Sequence, residues 1–185
     1  MDAMTNVIDE TQARIDLAAA LRMTARAGMH EAVANHYSVA LSADGSRFLI
    51  NPKWMHWSRV RASDLVLVDL NEGTDPVNVD RTAMAIHGQV HKLCPAARVV
   101  MHLHPVTTTA LASINPPGMP PIDQNSARYF NRLAVDLQYG GMANSDEEGA
   151  RLAGLLGNKS RLLMGNHGVM ITAETVGEAW DDIYT

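Results

Sequence analysis

Apolar residues recur along this chain in two rhythms, and the switches between them divide it into elements. From residue 8 to 29, Ile8, Ile15, Leu17, Ala18, Leu21 and Met23 approximate a helical stripe among Asp9, Glu10, Arg14 and Arg22, ending near Gly28. The rhythm then shortens. Tyr37 to Leu41 and Phe48 to Ile50 are β-prone runs flanking the turn residues Asp44, Gly45 and Ser46, which predicts a hairpin. A third strand is expected at Leu65 to Leu70, with Asn71 to Pro76 as the loop after it. Helical spacing returns from Asp80 to Leu93, where Ala83, Ile86, Val90 and Leu93 share a face, and the strand-like run Arg98 to His104 follows directly, so the helix should lie against it.

Beyond that run, Pro116, Pro117, Pro120 and Pro121 predict a rigid extended loop, expected near the mouth of any site on the preceding strand. Ser145 to Glu148 has the spacing of a capping box opening a helix through Leu156. Two strands should bracket Asn166-His167-Gly168, and a last helix is expected to start at Thr172-Ala173-Glu174. Trp180, Ile183 and Tyr184 are still in helical period where the sequence stops, which reads as a helix cut short, the chain being one domain over residues 1–185 with a missing C-terminal segment.

Composition narrows the function classes. At 185 residues the chain can bury one sizeable core and is too short for two ordinary domains. A net charge of −5, with 15 scattered Lys and Arg residues, gives no basic field for nucleic acid. No apolar stretch approaches the roughly 20 residues that span a bilayer, and Met1 to Thr5 lack the character of a signal peptide, so no membrane partner and a cytoplasmic location are expected. The single cysteine, Cys94, cannot form an internal disulfide and reads as a core or rim thiol, while the 11 methionines read as core filler.

The candidate chemistry lies in three histidines. Strand side chains repeat every second residue, so His102 and His104 emerge on one face, and Pro105 places them at a strand end where side chains can converge on a cleft. His167, flanked by Gly165, Asn166 and Gly168 within an apolar context, would close the triangle. Neutral imidazole suits zinc and related divalent ions, and three protein ligands leave a position for water or substrate, the arrangement of a catalytic site.

Several stretches together resemble the class II aldolase/adducin family: Asn35-His36-Tyr37-Ser38-Val39, Phe48-Leu49-Ile50-Asn51-Pro52, Ala62 to Leu70, Val100-Met101-His102-Leu103-His104 and Gly165-Asn166-His167-Gly168-Val169. The adducin-like branch is nearest. The resemblance implies a three-layer α/β/α fold with a mainly antiparallel central sheet, assembled as a homotetramer with sites at subunit boundaries. It implies that His102, His104 and His167 bind zinc, or manganese, cobalt or ferrous iron, and that the ion chelates substrate oxygens and stabilises an enolate. It also implies that the stretch from Asn35 through His36 to Ser38 borders a small-molecule substrate.

One position departs from the pattern. Counting back from His102 to where the aldolases carry an acid/base Glu lands on Ala83, and Asp80, the nearest carboxylate, would need a small insertion to come round. Loss of carbon dioxide needs no base at that position, so a carbon–carbon lyase is expected, decarboxylation being favoured over sugar-phosphate aldol cleavage. Arg81 and Lys53 are candidate carboxylate binders. His87 and His91, one helical turn apart, are candidate proton donors. The alternative is a non-catalytic adducin-like assembly domain.

Overall fold

The computed structural model describes residues 9–73 and 76–185. The opening helix, α1 (Glu10–Arg26), starts where Asp9 accepts from the backbone N–H groups of Thr11 and Gln12. It buries Ala13, Leu17, Ala18, Ala20, Leu21 and Thr24, while Ile15 and Met23 are half exposed, so the buried stripe is built of smaller residues than expected. Ile8 lies outside the described residues.

Seven strands form one sheet: β1 (His36–Ala40), β2 (Arg47–Ile50), β3 (Val66–Asp69), β4 (Val99–Leu103), β5 (Leu133–Asp136), β6 (Arg161–Met164) and β7 (Gly168–Ala173). Their spatial order is β3-β2-β1-β4-β7-β6-β5. Every pairing is antiparallel except β5 with β6, so the sheet is mainly antiparallel as expected. The expected hairpin is β1–β2, and the loop predicted after β3 includes residues 74 and 75, which are outside the described set.

Alternation along the strands assigns the two faces. Tyr37, Val39, Met101, Leu103, Val169 and Ile171 pack with α1 and with α6 (Val176–Tyr184). Val100, Leu162 and Met170 face the other way, onto Ile86 and Val90 of α2 (Arg81–Leu93) and Leu152 and Leu156 of α5 (Asp146–Leu156). Helices thus cover both faces of the sheet, giving three layers. The α2–α5 crossing is close because Gly149 has no side chain: a Cβ there would run into the backbone of Ala85.

Several local expectations change. Leu93 is half exposed at the end of α2. Ser145 caps α5 by accepting from the Glu148 N–H, but Glu148 does not return the bond; its carboxylate pairs with Arg151 instead. The last helix starts at Val176 under a reciprocal cap of Thr175 and Glu178, because Thr172 and Ala173 complete β7. Cys94 is buried, with its Sγ 3.6 Å from the Ala153 carbonyl, and burial raises its pKa. Two short helices, α3 (Val106–Ser113) and α4 (Gln124–Ala127), stand where none was expected. No helix among the described residues is long and apolar enough to cross a membrane.

Candidate metal centre

The strand β4 delivers His102 to the α2 side of the sheet, and His104 follows just past its end. The β6–β7 turn brings the third ring: Asn166 takes a left-handed backbone (φ 54°), a conformation Asn tolerates, and its N–H donates to the Ala112 carbonyl of α3 at 2.8 Å. Gly168 is required next, since a Cβ there would press on the His104 ring. The three imidazole centroids form a triangle with sides of 4.8 Å, and one nitrogen from each ring lies within 4.8 Å of the others.

Hydrogen bonding fixes which nitrogens face inward. His102 Nδ1 donates to the Val169 carbonyl at 3.0 Å, and His104 Nδ1 donates to the Glu31 carboxylate at 2.6 Å. A carbonyl and a carboxylate can only accept, so in neutral rings both Nε2 atoms are bare lone pairs. These two Nε2 atoms face each other at 3.0 Å. Two nitrogens held that close share either a hydrogen or a metal ion, and with His167 as a third ring the residues fit a divalent ion, Val169 and Glu31 taking the role of outer partners that orient metal-binding histidines. Burial, then the neighbouring His167, holds His102 well below its ordinary pKa; burial, then His104, lowers His167 to about 4. Both rings are therefore neutral at pH 7, as a ligand must be.

A cavity of about 370 Å³ opens onto this triangle. Asn35, His36, Asn51, Lys53, Asp80 and Thr82 give its wall polar groups, while Val33, Trp54, Ile86 and Met142 make much of the rest apolar. Asn35 is buried with a left-handed backbone (φ 71°), its Oδ1 accepting from the Glu31 N–H at 3.1 Å and its Nδ2 without a partner among the described residues. Asp80 reaches the cavity as the N-cap of α2, with no insertion needed, because its Oδ1 accepts from Thr82 N–H and Thr82 Oγ1. Burial pushes the Asp80 carboxyl up, but these Thr82 bonds outweigh it and the net shift is downward. Ala83 also lines the cavity, so the place where the resemblance expects a Glu is on the wall and carries only a methyl group.

Other candidates sit elsewhere. Arg81 does not line the cavity; its Nε donates to the Asn144 carbonyl at 3.1 Å and its guanidinium lies 3.8 Å from Asp146. Ser38, His87 and His91 are buried behind the wall, so none of them meets a ligand directly, and the expected proton-donor roles of His87 and His91 have no geometry to support them. The proline-rich loop is not at the mouth: Pro120, with Met119 and Ile122, borders a separate groove beside Tyr129 and Ile183. Residues 139 and 141–143 edge the cavity instead.

The buried group forms a chain. His36 Nδ1 is 2.9 Å from His87 Nε2, His87 Nδ1 is 2.5 Å from Ser38 Oγ, Ser38 Oγ is 2.7 Å from His91 Nε2, and His91 Nδ1 is 2.9 Å from the Ala97 carbonyl. The sequence shows the i, i+4 spacing of His87 and His91 and places Ser38 in a β-prone run, but nothing in it links them. Glu31 was missed altogether, because it lies in a loop with no periodicity.

With the fold and the triangle in place, the comparisons agree on class. The chain belongs to the family described as Class II Aldolase and Adducin N-terminal domain, whose pattern matches residues 15–185. It is 35% identical over 174 residues to a Caulobacter vibrioides protein named for the class 2 aldolases, the match spanning 92% of this chain and 67% of that protein. Human gamma-adducin is 28% identical over 189 residues, 99% of this chain and 26% of its own length. The crystal structure of an aldolase II superfamily protein from Pseudomonas syringae superposes with a TM-score of 0.87 at 28% identity, covering 100% of this chain and 75% of that one. The family holds metal-dependent lyases as well as adducins.

Proposed function

We propose that this protein is a divalent-metal-dependent lyase that breaks a carbon–carbon bond of a small hydroxy or keto acid, with decarboxylation favoured over sugar-phosphate aldol cleavage. The observation that carries the reading is the histidine triangle, in which His102 and His104 turn bare Nε2 atoms inward because Val169 and Glu31 hold their other nitrogens. His102, His104 and His167 would hold the ion, zinc or another of the divalent metals such sites accept. When bound, it supplies Lewis acidity that draws electron density from the substrate as the bond breaks.

The chain's own residues do the rest. Lys53 binds the substrate carboxylate as a point charge. Asn35 offers its unpartnered Nδ2–H to a substrate oxygen, and His36 stands beside it on the same wall. The apolar part of the wall, with Ile86 and Met142, excludes water from the reacting carbon. Two features favour decarboxylation: Ala83 leaves no carboxylate at the aldolase base position, the Asp80 carboxylate on the same wall being engaged by Thr82 through Oδ1, and among the described lining residues Lys53 is the one Lys or Arg, a sparse setting for a phosphate dianion. The homotetramer implied by the resemblance belongs to the same proposal.

The test is to load the purified protein with zinc, manganese, cobalt or iron and follow carbon dioxide release from a panel of hydroxy and keto acids, alongside retro-aldol cleavage of sugar phosphates. Metal-dependent carbon dioxide release supports the reading. Sugar-phosphate cleavage moves the reaction to the aldolases. A protein that assembles yet binds no metal and turns nothing over is the adducin-like alternative.

A further inference from the structure

The buried chain behind the cavity has a direction, and one backbone atom sets it. The Ala97 carbonyl can only accept, so His91 carries its hydrogen on Nδ1 and presents Nε2 as a lone pair. Ser38 must then donate its one hydrogen to His91, leaving its oxygen to accept from His87 Nδ1–H. His87 Nε2, now a lone pair, accepts from His36 Nδ1–H. His36 is left with a bare Nε2 on the cavity wall. Thr82 Oγ1 lies 3.4 Å from that atom but gives its hydrogen to Asp80 at 2.5 Å, so the lone pair is unclaimed. The reverse order would set His91 Nδ1 as an acceptor against the Ala97 carbonyl, two acceptors at 2.9 Å.

His36, Ser38, His87 and His91 are all buried, and burial favours the neutral rings that the four bonds of the chain call for. The expense of burying three imidazoles and a hydroxyl is offset only if each bond is made, so the four groups act as a unit. His91 and Ser38 are too far back to touch a ligand.

We propose that His91, Ser38 and His87 are positioning residues that lock His36 with its hydrogen on Nδ1, so that His36 Nε2 serves the cavity as a hydrogen-bond acceptor next to the donor Asn35 Nδ2. This pair selects a ligand with a hydroxyl hydrogen to give and a neighbouring oxygen to receive, as a 2-hydroxy acid has, and discriminates against its O-alkylated analogue. The assignment of the ligand class rests on the function proposed above; the direction of the chain does not.

The two are separated by the experiment. Nitrogen-15 NMR of the zinc-loaded protein reads the tautomer of each histidine without any substrate. Hydrogens on Nδ1 of His36, His87 and His91 are expected; a hydrogen on Nε2 of any of the three overturns the proposal, and this reading needs no variant. Glycolate and its methyl ether, methoxyacetate, then serve as probes. Ser38→Ala should release His36 to the Nε2–H form and shrink the preference for glycolate by roughly fivefold to tenfold, the effect of one hydrogen bond, with zinc stoichiometry unchanged. Ser38→Thr, which keeps the hydroxyl, should restore both. An unchanged His36 tautomer in Ser38→Ala, or an unchanged preference, refutes the positioning role. If the tautomers are as expected and neither probe binds the parent protein, the ligand class fails and the locked chain stands.

Discussion

Glu31 is the most informative residue to change, because it acts on the metal centre without being a ligand. Its carboxylate accepts from His104 Nδ1 at 2.6 Å and so holds the ring's other nitrogen toward His102 and His167. Removing such an outer partner weakens metal binding by about 10- to 100-fold. The Glu31 side chain is 59% exposed, so solvent screens its charge and the lower end applies, about tenfold or about 1.4 kcal/mol. In Glu31→Ala the metal dissociation constant should therefore rise about tenfold. Glu31→Gln keeps an acceptor and loses only the charge, so about threefold is expected. Competition against a chromophoric chelator measures both. A Glu31→Ala protein binding within twofold of the parent would refute the reasoning, since His104 would then be oriented by its packing alone. A complete loss of binding would refute it from the other side, by making Glu31 a ligand.

Other outcomes follow from the same structure. Gly149→Ala should destabilise the fold by about 1–3 kcal/mol in urea denaturation, because the new methyl group forces α5 away from the Ala85 backbone. Asp182→Asn should cost about 3 kcal/mol, since it leaves the fully buried Arg161 guanidinium without its carboxylate partner; a change under 1 kcal/mol would mean that the 4.8 Å stacking of Arg161 over Tyr129 is enough. Stability of the metal-free protein should fall with acid. His36 and His91 are held neutral to about 3 and about 4, whereas the unfolded chain binds protons near 6.5, so each contributes a loss of about 1.4 kcal/mol per pH unit as pH drops from 6.5 toward those values. A denaturation midpoint unchanged between pH 7 and pH 5 would contradict the buried neutral assignment.

The parts legible from sequence were those with a strong local signal. The triad was readable because alternation placed His102 and His104 on one face and a glycine-flanked turn marked His167. The hairpin announced itself through Asp44-Gly45-Ser46, and α2 through its spacing. What escaped depends on contacts between distant segments. Strand β5 is four residues with a single parallel partner. Helix α3 is rich in β-branched threonine, which propensity alone argues against. Counting residues from His102 passes over Asp80, yet its place as the N-cap of α2 puts it on the cavity wall. His87 and His91 were assigned to chemistry because their helix adjoins the metal strand; the register of Ser38 opposite Val100 shows that they face the inside of the layer instead.

The central claim is that His102, His104 and His167 share one divalent ion, and anomalous diffraction from crystals grown with zinc tests it most directly. A single strong peak per chain is expected within about 2.0–2.1 Å of one nitrogen from each ring, absent in crystals of His167→Ala. A peak bound elsewhere, or none at this triangle at saturating zinc, would contradict it.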